Sequence, residues 1–240
     1  MSKILNLQRL ILAIAAFAVI AVASAAALAD TITLNTAPGA TTGGGPVSAA
    51  VTFTVGQNGA LTITLTNNTV NPTDVAQNIS DLSFHINGLT ATAGSLASNG
   101  NTIFVNGGGT TSPGSNNVST GWVLDSTGPD FHLNGLAGSV NGPAFTILGA
   151  PGPGGVYTNA NGSIAGNMPH NPFLNGTATF TMTIPGLTSV SQITNVSISF
   201  GTTPGVNVPV TNVPEPTTMM LLGTGLLGVA GLARRRLRKS

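Results

Sequence analysis

An all-β fold is predicted for the body of this 240-residue chain, and three observations predict it. Apolar side chains alternate with threonines in short runs, the runs are separated by Gly, Pro and Asn, and no stretch between them carries the 3.6-residue period of an amphipathic helix. Many short strands joined by turn residues indicate a single β-sandwich of jelly-roll or immunoglobulin-like type. The expected organisation is a signal-peptide helix at 1–29, the sandwich at 30–201, a Pro-containing linker at 202–213 and a C-terminal segment at 214–240. That last segment divides into a tripeptide at 214–216, an apolar transmembrane helix at 217–233 and a basic tail at 234–240.

The first run, residues 31–35, sets Ile32 and Leu34 on one face. Val51, Phe53 and Val55 then alternate with Thr52 and Thr54, and Leu61, Ile63 and Leu65 with Thr62 and Thr64. Between them lies Gly56-Gln57-Asn58-Gly59, whose Asn-Gly pair supplies the positive φ angles that a tight hairpin turn needs. Shorter strands are expected near 82–86, 102–105, 122–124, 131–133 and 144–148. Ala178, Phe180, Met182 and Ile184 form one apolar face, and Val196, Ile198 and Phe200 another. Beyond them, residues 202–213, with Pro204 and Pro209, read as an extended, semi-rigid spacer.

The two ends follow a different logic. Lys3 and Arg9 precede a continuous apolar segment at 10–22, and Ala27-Leu28-Ala29 ahead of Asp30 is a small-x-small pattern. A secretory signal peptide, removed by signal peptidase, is therefore expected. At the other end the apolar run at 217–233 would make roughly 26 Å of helix, near the lower limit for crossing a hydrocarbon core. Arg234, Arg235, Arg236, Arg238 and Lys239 follow it at once and would stay cytoplasmic, leaving the body of the chain outside. Pro214 and Pro216 hold Glu215, the chain's single glutamate, in an extended segment at the membrane edge.

Charge excludes whole classes of function. Residues 30–213 contain no Lys or Arg and carry five carboxylates, Asp30, Asp74, Asp81, Asp125 and Asp130, for a net charge of −5. Nothing in that region can neutralise phosphates, so nucleic acid is not an expected partner. The absence of cysteine removes disulfides and thiolate chemistry, and the absence of Lys and Arg removes Schiff-base and arginine-clamp chemistry. No Gly-x-Ser-x-Gly marks a nucleophile, so no catalytic residue, cofactor or enzymatic role is expected.

One repeat lies within the body: Phe84-His85-Ile86-Asn87-Gly88-Leu89 recurs as Phe131-His132-Leu133-Asn134-Gly135-Leu136, with Gly94-Ser95 and Gly138-Ser139 following. Period two turns the Phe and Ile or Leu inward and His85 and His132 outward, where the histidines read as solvent-facing positions rather than metal ligands, as does His170. Asp125 and Asp130 bracket a Gly128-Pro129 turn without the ligand spacing of a calcium loop, so no metal site is expected. Trp122 is expected in the core. Tyr157, with Asn159, Asn161, His170 and Asn171, offers a sugar-binding loop, because such sites need an aromatic face beside fixed polar groups. Six Asn-x-Ser/Thr sequons start at Asn67, Asn78, Asn117, Asn161, Asn175 and Asn195.

The order Val213-Pro214-Glu215-Pro216, apolar span, arginine cluster resembles the PEP-CTERM sorting signal of Gram-negative bacteria. What the resemblance implies is an exosortase substrate: a protein held transiently in the inner membrane, cut near its tail, and delivered to the cell surface or extracellular matrix. It also implies extracellular polysaccharide as a neighbour, in biofilm or floc formation, with a lectin-like carbohydrate-binding module as the alternative role for the body.

Overall fold

The computed structural model describes residues 29–89, 93–137, 143–203 and 205–212. The expected signal peptide through Leu28, Ala27 included, and the whole segment from Val213 onward lie outside those residues.

The alternating runs become strands as their period requires, with the apolar residues on one face. In chain order they are β1 (Asp30–Thr36), β2 (Thr41–Thr42), β3 (Gly45–Pro46), β4 (Ala49–Val55), β5 (Ala60–Asn67), β6 (Ile79–Ile86), β7 (Ala97–Val105), β8 (Thr111–Pro113), β9 (Val123–Thr127), β10 (Asp130–Asn134), β11 (Ile147–Leu148), β12 (Phe173–Thr183), β13 (Ile193–Phe200) and β14 (Asn207–Asn212). The only helical pieces among the described residues are four single 3₁₀ turns, and no helix there is long and apolar enough to cross a membrane. The expected span at 217–233 falls outside them.

All strands except the β2–β3 hairpin join one sheet in the order β8-β7-β12-β5-β4-β1-β14-β13-β6-β10-β9. β11 pairs in parallel with β12 and antiparallel with β6. Eight strands, β12, β5, β4, β1, β14, β13, β6 and β11, thus close a barrel, with β7–β8 and β10–β9 extending the sheet beyond it. The all-β expectation holds, whereas the jelly-roll or immunoglobulin-like sandwich gives way to a closed barrel with extra strands. The reason is pairing: β1 is bonded to both β4 and β14, and β11 to both β6 and β12, so no gap separates two sheets. Closure leaves the ring without exposed edges.

The expected spacer at 202–213 also differs. Its residues Asn207–Asn212 are extended, as expected, but they are β14, inserted between β1 and β13 as a stave of the barrel. Asn207, Val208 and Pro209 pair with β13 while Val210, Thr211 and Asn212 pair with β1.

Inside the barrel the apolar faces meet in register. Phe53 is opposite Ile63, Ile63 opposite Phe180, and Phe131 opposite Phe84, all of them buried. At about 1.5–3 kcal/mol for each large apolar side chain fully removed from water, this interior dominates stability. The outer face of β1, β4, β5 and β12 is equally regular. Thr33, Thr52, Thr64 and Thr179 form one cross-strand row, and Thr31, Thr54, Thr62 and Thr181 the next. Hydroxyls bond between rows' members, Thr33 to Thr52 at 2.9 Å and Thr31 to Thr54 at 3.1 Å, so this exterior is solvated by neutral groups instead of charges.

The hairpin β4–β5 forms where Asn-Gly stands. Asn58 has φ 56° and Gly59 φ 74°, and a Cβ on Gly59 would lie 2.0 Å from the Ile184 carbonyl oxygen. Only glycine fits there.

Candidate functional site: the histidine–aspartate face and the chain ends

The two copies of the Phe-His repeat become neighbouring antiparallel strands, β6 and β10. Phe84 stands opposite Phe131 and their rings stack with centroids 5.2 Å apart, while Phe53 meets Phe84 edge-on. With the phenylalanines turned inward, the histidines face outward, as period two requires.

Each histidine meets a carboxylate far away in sequence. His85 Nδ1 is 2.7 Å from Asp130 Oδ1, and His132 Nε2 is hydrogen-bonded to Asp81 Oδ2. The two pairs differ in environment. Asp130 is 72 % exposed, so its pair contributes about 0–1 kcal/mol. The Asp81 side chain is only 4 % exposed, and its second oxygen, Oδ1, is buried without a hydrogen-bond partner among the described residues. Burial pushes the Asp81 carboxyl above the ordinary carboxylate range, and the neighbouring His132 offsets part of that shift.

Ser83, Asp125, Thr127 and Asn195 complete a shallow pocket of about 230 Å³ between these pairs. Asp125 stands opposite His132 across the β9–β10 ladder, and the turn between these strands places Gly128 at φ 63°. Among the described residues no three His, Cys, Asp or Glu side chains come together in a way that would hold a metal ion. Ser83 is opposite His132 in the ladder, yet the imidazole bonds to Asp81. What the face provides is two oriented imidazoles, each joined to a carboxylate on the other strand of the β6–β10 pair.

The proposed sugar loop is rearranged by packing. Tyr157 is 1 % exposed and its hydroxyl donates to the Gly149 carbonyl at 2.8 Å. Its ring belongs to a second apolar cluster with Val105, Leu148, Ile164 and Phe173, and burial raises its phenol pKa far beyond the ordinary value. The aromatic platform that a loop lectin site requires is therefore in the core. Asn159 and Asn161 are exposed, whereas Asn171 is buried and accepts from the Val105 N–H at 2.8 Å, and His170 Nδ1 lies 2.5 Å from the Ser163 carbonyl. Trp122 is buried as expected, its indole N–H donating to the Phe145 carbonyl at 2.9 Å. Of the six sequons, Asn67 and Asn78 are buried, and Asn117, Asn161, Asn175 and Asn195 are exposed.

At the chain's entry, Ala29 is exposed and Asp30 begins β1 directly. Ala27, Pro214, Glu215, Pro216, Arg234, Arg235, Arg236, Arg238 and Lys239 lie outside the described residues. Sequence reasoning missed the Asp81 and Asp130 partners, because separations of 51 and 45 residues leave no local signal.

The described residues form a charge-poor β-barrel domain, and a further C-terminal segment follows its last stave in the sequence. That segment is a PEP-CTERM protein-sorting motif, which the corresponding family model matches at residues 212–236. The chain accordingly has the address of an exported protein processed by exosortase and routed to the cell surface. None of the curated proteins matches the chain.

Proposed function

We propose that the barrel is a non-catalytic cargo domain of the cell surface or extracellular matrix, associated with extracellular polysaccharide in biofilm or floc formation. In this reading signal peptidase removes residues 1–29, the tail at 217–233 tethers the chain transiently in the inner membrane with Arg234–Arg236, Arg238 and Lys239 on the cytoplasmic side, and exosortase cuts near Pro214-Glu215-Pro216. The observation that carries it is the sorting motif at residues 212–236. The barrel's neutral, hydroxyl-covered exterior supports it, since such a surface suits a hydrated polymer matrix and offers no cation for nucleic acid or anionic substrates.

Intact-mass measurement of the exported form tests the proposal. In cells with a working exosortase the product should lack both residues 1–29 and the arginine cluster; an exported product still carrying Arg234 to Lys239 would refute it.

A further inference from the structure

The barrel carries its outward-facing carboxylates on one side. The threonine rows of β1, β4, β5 and β12 hold no charge, whereas β6, β9 and β10 present Asp81, Asp125 and Asp130, three of the five carboxylates at 30–213. Register arranges them. Thr127, Asp130 and His85 stand in one cross-strand row, and Asp125, His132 and Ser83 in the next, about 6.8 Å away along the strands. All six line the cavity of about 230 Å³, to which each copy of the Phe-His repeat contributes one imidazole.

Hydrogen bonding fixes what that cavity offers. An ionised carboxylate only accepts, so His85 donates through Nδ1 to Asp130 and a neutral ring keeps its lone pair on Nε2. His132 bonds to Asp81 through Nε2, which leaves its lone pair on Nδ1. Asp130 Oδ2 and the exposed Asp125 take no hydrogen bond from any described residue. Behind His132, Asp81 is 4 % exposed and its Oδ1 is buried without a donor, so this face lacks positive charge below its surface as well. No Lys or Arg at 30–213 supplies any.

We propose that this cavity binds a hydroxyl-bearing primary ammonium, the free amine of an amino sugar, between Asp125 and Asp130, with the His85 and His132 lone pairs as further acceptors. An ammonium has three donors and no acceptor, the complement of fixed groups that accept. Its bonds to carboxylates are charge-assisted and therefore strong. Around them the rim is Ser83, Thr127 and Asn195, neutral side chains that both give and take hydrogen bonds, as ring hydroxyls do. Phe84 and Phe131 turn their stacked rings to the core, so no exposed apolar side chain is there to pack the methylene stem of a lysine. The volume, below the roughly 300 Å³ at which pockets for drug-sized ligands begin, admits one sugar unit. That the amino sugar belongs to a matrix polymer rests on the function proposed above; the cavity's preference for an ammonium does not.

Titration calorimetry of the detergent-solubilised full chain tests the site, with a chitosan tetramer, its fully N-acetylated counterpart and an N-acetylated tetralysine amide as probes. Acetylation removes the charge. The chitosan tetramer should bind at least about tenfold more tightly than either of the others. No binding, or equal binding of the acetylated sugar, would overturn the site, and equal binding of tetralysine would overturn its assignment to a sugar. Asp125→Asn should weaken the tetramer about tenfold with Tm unchanged, because Asp125 holds no described hydrogen bond. Asp74→Asn removes the same charge outside the cavity and should leave the affinity as it is. Equal losses in the two variants would reduce the binding to net charge and overturn the site. If the tetramer binds but the exported protein is not retained by extracellular polysaccharide, the matrix reading fails and the site stands. Retention by polysaccharide without tetramer binding overturns the site and leaves that reading intact.

Discussion

The carboxylate of Asp30, the first residue of β1, accepts hydrogen bonds from the Ser189 hydroxyl at 2.7 Å and the Val190 N–H at 2.8 Å. The residue that follows the expected signal-peptide junction is thereby fastened to the 3₁₀ turn before β13, across the barrel's end. The Ser189 hydroxyl foremost, and then the Val190 N–H, hold the Asp30 carboxyl below its ordinary value.

A lowered carboxyl pKa gives stability that is present above the unfolded value and lost as pH falls through the folded one. Asp30→Asn should therefore lower Tm at neutral pH and flatten the acid limb of wild-type Tm below the ordinary value of 3.8. Thermal denaturation of both proteins from neutral to strongly acidic pH checks this; parallel curves would show that Asp30 does not take part.

Asp81 works in the opposite sense. Burial raises its pKa, so the folded state favours the neutral carboxyl, and this group's contribution declines as pH climbs from 3.8 toward the raised value and is level above it. Asp81→Asn should remove that slope. Urea midpoints for the two proteins across the acid range measure the difference.

His132→Ala should be more damaging than His85→Ala. It leaves the buried Asp81 carboxyl without its partner, where the lost compensation is about 1–3 kcal/mol, whereas Asp130 returns to water. Denaturant unfolding of the two variants at neutral pH compares them.

Tyr157→Phe should cost about 1 kcal/mol through the hydrogen bond to Gly149, and Tyr157→Ala about 3–5 kcal/mol through the cavity it opens. Neither change should alter binding to an added polysaccharide beyond what lost folding explains. Glycan pull-down alongside denaturant unfolding separates the two effects.

Gly59→Ala combines a positive φ with a Cβ 2.0 Å from the Ile184 carbonyl oxygen, so it should destabilise the β4–β5 hairpin against β12. The alanine at neighbouring Ala60, whose backbone is extended, should by contrast accept serine with little change in Tm.

Much of this protein was legible from local sequence. Alternation of Ile32, Phe53, Ile63 and Phe180 with threonine sets which face each strand buries, because side chains on a strand point to opposite sides in turn. Asn58-Gly59 announced its turn through the φ angles it adopts, and Pro214-Glu215-Pro216 with its flanks announced the sorting address, since covalent order alone carries both signals. Tertiary structure alone decided the pairing: that two residues, Ile147 and Leu148, bridge β6 and β12 and turn an expected sandwich into a barrel, that Asn207–Asn212 is a stave and not a spacer, that Tyr157 is core, and that His132 rests on Asp81. Those outcomes depend on which distant segments compete best for the same edge or cavity, a property of the assembled chain that no window of neighbouring residues contains.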